Sequence, residues 1–521
     1  MLICEYICTD PPDLVMASHC ATSQQPSQIK YIRDFPVTGP MNSLQRSIFA
    51  VFSGRVTKIL LSAAFTPVLV RILSQEQYGL YASILAGISI ATLISRGGLF
   101  DATRKLIGEH NDSNDEVSSI ISVALSLSVA YGMLAIGIAF LSLYTKIIPS
   151  EYVPYVWIFF AAVLFGNIFS IVKGFFYGVQ SEHLSEILDI SQRLIYIGLA
   201  LFLAYIGYDV FGVFIGYSLS FLLVSLFGMA ALAKCYPYYR PTPKQFIRYG
   251  KDLASFGGYQ LIGGLSALLL YRIDILLVKF FEGSSSTALY QSAILPAEMI
   301  WFVPSAIQMT FLQHTASLWA DGDIEAINEN LKEGIKYAVL SLTLFGAGLF
   351  VLADSFLEIY FGLEYVEASA TLRVLIFGTF FFGITRVVVP VFQATGWVRY
   401  TELVTFGSLL LNILLNILLI PRYGIIGAGV GTGISYVAIF IGNIVLWNYS
   451  PFNRVSVRWT GKLIAVQGLF ATSFWAITKF LELPPLTSLM LLPPVGFALF
   501  VGINVVAGYI PLQYIADQLD H

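Results

Sequence analysis

Charged side chains are scarce in this sequence. Asp, Glu, Lys and Arg make up 12% of its 521 residues, while 57% are hydrophobic. A soluble chain of this length carries about 25% charged residues to keep its surface wetted. Halving that fraction excludes an ordinary water-facing globule. Histidine and cysteine are also rare, with five and four copies. The histidines are scattered, so no acid–base or metal constellation forms, and the cysteines give no disulfide framework. Cys4, Cys8 and Cys20 stand near His19 without the tight paired spacing of Cys/His metal sites, and Cys235 is alone. A Gly-rich phosphate loop is missing, as is any long external loop that could house a catalytic domain. No metal, cofactor or nucleic-acid partner is expected, and a net charge of −3 points to none.

What is present is a succession of apolar runs long enough to cross a bilayer. On the criterion of ~20 residues per crossing there are about fourteen, from 47–70 to 486–510, the last interrupted by Pro493 and Pro494. A bilayer offers no water to unpaired backbone groups, so spans must be helices or a closed barrel. These runs are too long and too uniformly apolar for barrel strands, which alternate over ~10 residues. The fold class is therefore an all-α integral membrane protein. Residues 1–40 are polar and rich in Ser, Gln and Pro, and lack the basic-then-apolar order of a signal peptide. They read as a disordered or non-native tail, with Met41 a candidate start.

Lys and Arg set the orientation, because positively charged loops stay in the cytoplasm. Alternate loops carry Arg104 and Lys105; then Lys234, Arg240, Lys244, Arg248 and Lys251; then Lys332 and Lys336; then Arg454, Arg458 and Lys462. The loops between them hold single cations at most. Both termini are expected in the cytoplasm.

The chain also repeats itself. Tyr208, Gly212, Gly216 and Ser220 recur with identical spacing as Tyr423, Gly427, Gly431 and Ser435. Phe176 and Glu186 correspond to Phe392 and Glu402, and Leu69–Ser83 echoes Leu277–Ser292. Glycines every four residues serve close helix packing whatever the fold. Packing alone does not require such co-linear repetition, however, and the repetition marks two halves of six spans each. Transporters use such repeats to build a substrate site between two bundles. The expected organisation is a tail at 1–40, a first bundle with its basic linker at 41–252, a second bundle at 253–448, and two further helices at 449–521.

An ionisable residue within a span is costly and usually faces a cavity or a partner. Arg55 and Lys58 lie one turn apart on the first span. Arg272 and Asp274 lie on the seventh, Glu298 on the eighth and Arg386 on the tenth. Most are cationic, and Arg suits phosphate because its planar fork bonds anionic oxygens in pairs. Bland readings compete. Arg96 would snorkel to the cytoplasmic interface. Asp189 and Arg193, four apart, would neutralise each other on one helix, and Asp321-Gly-Asp323 would be a solvated helix start rather than a metal loop.

Several segments resemble polysaccharide-biosynthesis (O-antigen type) flippases of the multidrug/oligosaccharidyl-lipid/polysaccharide exporter superfamily. They are Arg71-Ile-Leu-Ser-Gln-Glu-Gln-Tyr-Gly-Leu-Tyr, Gly98-Leu-Phe-Asp-Ala-Thr-Arg104, Leu289-Tyr, Phe361-Gly-Leu-Glu-Tyr, Gln393-Ala-Thr-Gly396 and Pro421-Arg-Tyr-Gly-Ile-Ile-Gly-Ala428. The resemblance runs from about Met41 to the end and rests on the order of these segments. It implies two six-helix bundles forming a V, plus two added helices, in the cell membrane. It also implies alternating-access export of an oligosaccharide linked to polyprenyl phosphate or pyrophosphate, for surface polysaccharide or glycoprotein assembly. Members use cationic cavity residues on the first and seventh spans, where this chain offers Arg55, Lys58 and Arg272. The partners implied are that lipid-linked sugar and the membrane lipids, with any coupling ion open. One rival is a multidrug or cation antiporter of the same superfamily, which favours acidic cavity residues. The other is a membrane polymerase or glycosyltransferase, which needs the long external loop this chain lacks.

Overall fold

The computed structural model describes residues 43–110, 113–146, 149–235, 241–453, 456–481 and 483–510. The segment with Cys4, Cys8, His19 and Cys20, and the cations Arg240 and Arg454, lie outside them. Regular structure among the described residues is helical throughout. In chain order the α-helices are α1 Ser43–Ile72, α2 Gln75–Arg96, α3 Leu99–Glu109, α4 Asn114–Tyr144 and α5 Val153–Gly178. Then come α6 Glu182–Leu203, α7 Asp209–Cys235, α8 Pro243–Met299, α9 Phe302–Ala320 and α10 Ile324–Val351. The last are α11 Ala353–Tyr360, α12 Ser369–Ala394, α13 Val398–Tyr449, α14 Val457–Leu481 and α15 Pro485–Val506.

Ten helical stretches among the described residues are long and apolar enough to cross a membrane. Three of these run 52 to 57 residues, more than twice the ~20 that one crossing needs. Each breaks where the backbone turns to positive φ: at Gly207 (95°) and Asp209 (46°), at Gly283 (84°), and at Gly424 (57°). Glycine adopts that conformation at no steric cost, so it ends one span and begins the next within a continuous run. Large apolar side chains such as Leu134, Trp157, Phe227, Ile262 and Leu469 are exposed. In water that surface would aggregate, whereas in lipid it is the solvent-facing side. The chain is a multi-pass membrane protein.

The helices sort into two compact units. The first comprises residues up to Phe65 together with Ala91–Gly264, and the second Thr66–Ile90 together with everything from Leu265 onward. In the first unit, Leu99, Ile107, Val117, Ile120 and Ile171 build a core between α3, α4 and α5. In the second, Leu270, Leu342, Phe382, Val387 and Tyr436 tie α8, α10, α12 and α13 together.

The repeated glycines work as close-packing points in both units. A Cβ on Gly216 would lie 2.7 Å from the backbone nitrogen of Ala200, bringing α7 onto α6. Its counterpart Gly431 brings the second half of α13 onto the first, with a Cβ 3.3 Å from Leu415 Cβ. Asp321-Gly-Asp323 is a helix start: Gly322 takes φ 76°, and Asp323 caps α10 by accepting from the amide of Ala326 at 3.0 Å.

Two of the segments that carried the family resemblance meet inside the second unit. Arg71 donates to the carbonyls of Ile359 (2.8 Å) and Tyr360 (3.5 Å) at the C-terminus of α11. Tyr78 packs edge-on to Tyr365, with ring centroids 6.2 Å apart, and lies against Phe361 at 6.5 Å.

Candidate functional site

Each unit buries its own group of ionisable side chains. In the first, α6 presents Glu186, Asp189 and Arg193 at spacings of three and four, which place them along one helical face. Lys58 of α1 donates to Glu186 Oε2 at 3.0 Å and to Asp189 Oδ2 at 2.8 Å. Lys173 of α5 donates to the same Asp189 oxygen at 2.7 Å, and the Tyr177 hydroxyl donates to Glu186 Oε1 at 2.9 Å. The carboxylate of Glu186 reaches Lys58 because residue 54 lacks a side chain; a Cβ there would collide with Glu186 Oε2. The ammonium of Lys173 also faces the rings of Phe169 (5.7 Å) and Phe100 (5.8 Å).

The Asp189–Arg193 pair expected from their spacing does not form. Asp189 turns toward α1 and α5, where two ammonium groups converge, and they outcompete one guanidinium on its own helix. Arg193 instead donates to Ser62 Oγ at 2.6 Å and lies over the Tyr196 ring at 5.4 Å. Arg96 likewise departs from the snorkelling reading. Its Nε is buried with no hydrogen-bond partner, and its Nη2 lies 3.4 Å from where a Gly166 Cβ would stand. The small residue makes room for an inward-pointing guanidinium. Arg55, one turn before Lys58, is exposed, and no described hydrogen bond or ion pair joins it to the cluster.

In the second unit, Arg272, Glu298 and Arg386 come together. Arg272 approaches Glu298 Oε2 at 3.9 Å, a loose pair with both side chains partly open. The other oxygen of Glu298 is buried with no hydrogen-bond partner. Arg386 is held by geometry rather than by a carboxylate. It donates to Gln308 Oε1 (3.0 Å) and to the Tyr271 hydroxyl (3.2 Å). Its guanidinium lies 4.6 Å from the Trp301 ring and 5.3 Å from that of Phe382. Arginine is favoured there because its flat, weakly hydrated cation stacks on aromatic faces.

Asp274 stands apart from Arg272 although only two residues separate them. Its carboxylate is fully buried, accepting from the Tyr290 hydroxyl at 2.5 Å and Thr432 Oγ1 at 3.1 Å. Asn412 donates to the same threonine at 3.3 Å, and Asn416 Nδ2 donates to Asn412 Oδ1 at 3.1 Å. None of the described ion pairs includes Asp274. A buried carboxylate with only neutral partners needs a proton or a bound cation to be tolerated. Lys173, Tyr177, Tyr271, Gln308, Tyr290 and Thr432 were not identified from the sequence as site residues. Lys173 could have been, as a cation within an apolar run.

The profile of the family described as "Polysaccharide biosynthesis protein" matches residues 44–311, half of the chain. An uncharacterized membrane protein of Methanocaldococcus jannaschii is 23% identical over 262 residues, covering 49% of this chain and 51% of that one. A protein of Haloferax volcanii named "Probable low-salt glycan biosynthesis flippase Agl15" is 21% identical over 215 residues, covering 41% and 45%. The matched region thus spans about half the length of these relatives. Among solved structures, "Lipid II flippase MurJ, inward closed conformation" superposes with a TM-score of 0.71 at 14% identity, over 88% of this chain and 97% of that one. An outward-facing multidrug transporter of the MATE family gives 0.55 at 16% identity, over 88% and 100%. Those likenesses establish a shared fold.

Proposed function

Because the chain belongs to the polysaccharide biosynthesis protein family, we propose that it is a flippase for lipid-linked oligosaccharide. It carries a sugar on a polyprenyl phosphate or pyrophosphate from the cytoplasmic to the external leaflet of the cell membrane, by alternating access. The observation that carries this reading is the excess of cations inside the first unit. Lys58, Lys173, Arg96 and Arg193 point inward there against two carboxylates, Glu186 and Asp189. Such an excess is costly in a membrane and is offset when an anion binds. A phosphate group supplies that anion, and the second unit has cations of its own in Arg272 and Arg386. The names of the similar glycan biosynthesis flippase and lipid II flippase agree with this substrate class.

A second reading, antiport of organic cations, is favoured by Asp274, whose buried carboxylate suits a coupling proton or cation. One experiment separates the two. Flipping of a fluorescent polyprenyl-pyrophosphate oligosaccharide is measured in proteoliposomes alongside thermal stability, for Arg55→Ala, Lys58→Ala and Arg272→Ala. A fall of roughly tenfold or more with little change in melting supports the flippase, with Arg272→Lys only partly active because the fork is lost. Normal flipping in all three, or loss that tracks unfolding, overturns it. Efflux of a cationic dye by a chain that flips nothing would establish the antiporter.

A further inference from the structure

The cluster of the first unit contains a carboxylate with two places to go. Asp189 uses a single oxygen, Oδ2, to accept from both Lys58 and Lys173, at 2.8 and 2.7 Å. Two ammonium groups therefore converge on the position of one oxygen atom. Each ammonium has three N–H donors. Lys58 commits two of them, to Glu186 and Asp189, and Lys173 commits one. The side chains of Lys58, Lys173 and Asp189 remain 28%, 20% and 18% accessible, so the pair is sheltered but reachable. One turn further along α6 stands Arg193, at the i+4 spacing that brings a carboxylate and a guanidinium into contact. Among the described contacts it is held by the Ser62 hydroxyl and the face of Tyr196.

We propose that Asp189 is a displaceable counter-ion, and that the phosphate of the carried lipid takes its place on Lys58 and Lys173 while Asp189 swings to Arg193. The inference rests on the reading of the substrate as a phosphate-bearing lipid. A phosphate oxygen fits the point that Asp189 Oδ2 now fills, and its neighbours reach the N–H groups the carboxylate leaves unused. The exchange pairs a cation that none of the described ion pairs includes in the empty state. Without substrate the lysines hold the two acids. With it they hold the phosphate and Glu186, and Asp189 is neutralised by the arginine on its own helix. Glu186 stays in place in both states, because Tyr177 anchors its second oxygen at 2.9 Å. The rearrangement is a rotamer change of one short side chain, and it leaves α6 with a different charge on the face toward α1 and α5 when loaded.

The test is a titration of the purified full chain with inorganic pyrophosphate at low ionic strength, with melting curves for every variant. Removing the competitor should tighten binding, so Asp189→Asn should bind roughly tenfold more strongly than the unaltered chain, and Lys173→Ala should bind far less. Arg193→Ala should weaken binding in the otherwise unaltered chain, because Asp189 then loses the cation on its own helix. The same substitution should have little effect on top of Asp189→Asn. Arg193→Lys, which restores a cation at the same spacing, should recover most of the loss.

Equal weakening by Arg193→Ala in both backgrounds would mean a generic positive field and would overturn the exchange. So would an Asp189→Asn chain that binds no tighter. Should Asp189→Asn fold poorly, Asp189→Ser supplies the second background for the same Arg193→Ala comparison. In nanodiscs, competition by phosphatidylglycerol would overturn the assignment to the carried lipid, and indifference to it supports that assignment. Flipping by the unaltered chain is measured separately. Flipping without the Arg193 pattern sinks the exchange alone, and the pattern without flipping sinks the function proposed above.

Discussion

Lys58 and Asp189 are 131 positions apart in the chain, and their side chains meet at 2.8 Å. The contact closes a network that runs from α1 through α6 to α5, and its geometry depends on a neighbour with no charge. Gly54 lies one turn before Lys58, and only a hydrogen atom there leaves room for Glu186 Oε2. Overpacking of this kind costs roughly 1–3 kcal/mol. Gly54→Ala should therefore lower the melting temperature and impair flipping together. Adding Glu186→Asp, one methylene shorter, should recover part of the stability. A Gly54→Ala chain that melts like the unaltered one would show that the Glu186 carboxylate has another place to lie.

Arg386 should resist conservative replacement. Lysine keeps the charge but cannot donate to Gln308 and Tyr271 at once while lying flat on Trp301. The expected loss for Arg386→Lys is about 1–2 kcal/mol, from one hydrogen bond and part of a cation–π contact. Chemical denaturation in detergent measures it. Equal stability of the two chains would place the weight of this site on charge alone.

The Asp274 cluster should rank its substitutions by the acceptors they leave. Asp274→Ala removes the acceptor that the buried hydroxyls of Tyr290 and Thr432 share and leaves a cavity, and should cost about 2–4 kcal/mol. Asp274→Asn retains one acceptor oxygen and should cost less. Melting temperatures in the order unaltered, Asn, Ala check the argument, and an alanine chain as stable as the asparagine chain would contradict it.

Topology follows from the loop cations. Reporter fusions after Lys146 and after Arg248 should report opposite sides of the membrane, with Arg248 in the cytoplasm. The same side for both would defeat the expected arrangement of fourteen spans with both termini inside.

Much of the architecture was legible in the sequence because the bilayer demands it. Apolar runs must be helices, and the spacing shared by Gly216 and Gly431 reports close packing in both units. Arg272, Glu298 and Arg386 were also identifiable, since an ion within an apolar run is conspicuous. What could not be read was the choice of partner. Along one helix the arithmetic joins Asp189 to Arg193, but the two lysines that claim Asp189 come from α1 and α5, and only folding brings them there. The same holds for Arg386, whose partners Tyr271 and Gln308 are uncharged and carry no pattern in the sequence. Asp274 lies two residues from Arg272 yet faces Tyr290 and Thr432, and Thr432 is 158 positions away.

The cap that Arg71 places on α11 has a consequence for how the chain is made. Arg71 leaves the ribosome 288 residues ahead of the Ile359 carbonyl to which it donates. At synthesis rates of about 5–20 residues per second, that gap lasts roughly 15 to 60 s. Throughout it, the stretch carrying Arg71 and Tyr78 has been synthesised, while the short helix and the Phe361 and Tyr365 rings it will hold have not been made. The second unit therefore cannot mature in the order in which it is translated. Its first segment is made early and finds these partners only when the later part of the polypeptide has been synthesised.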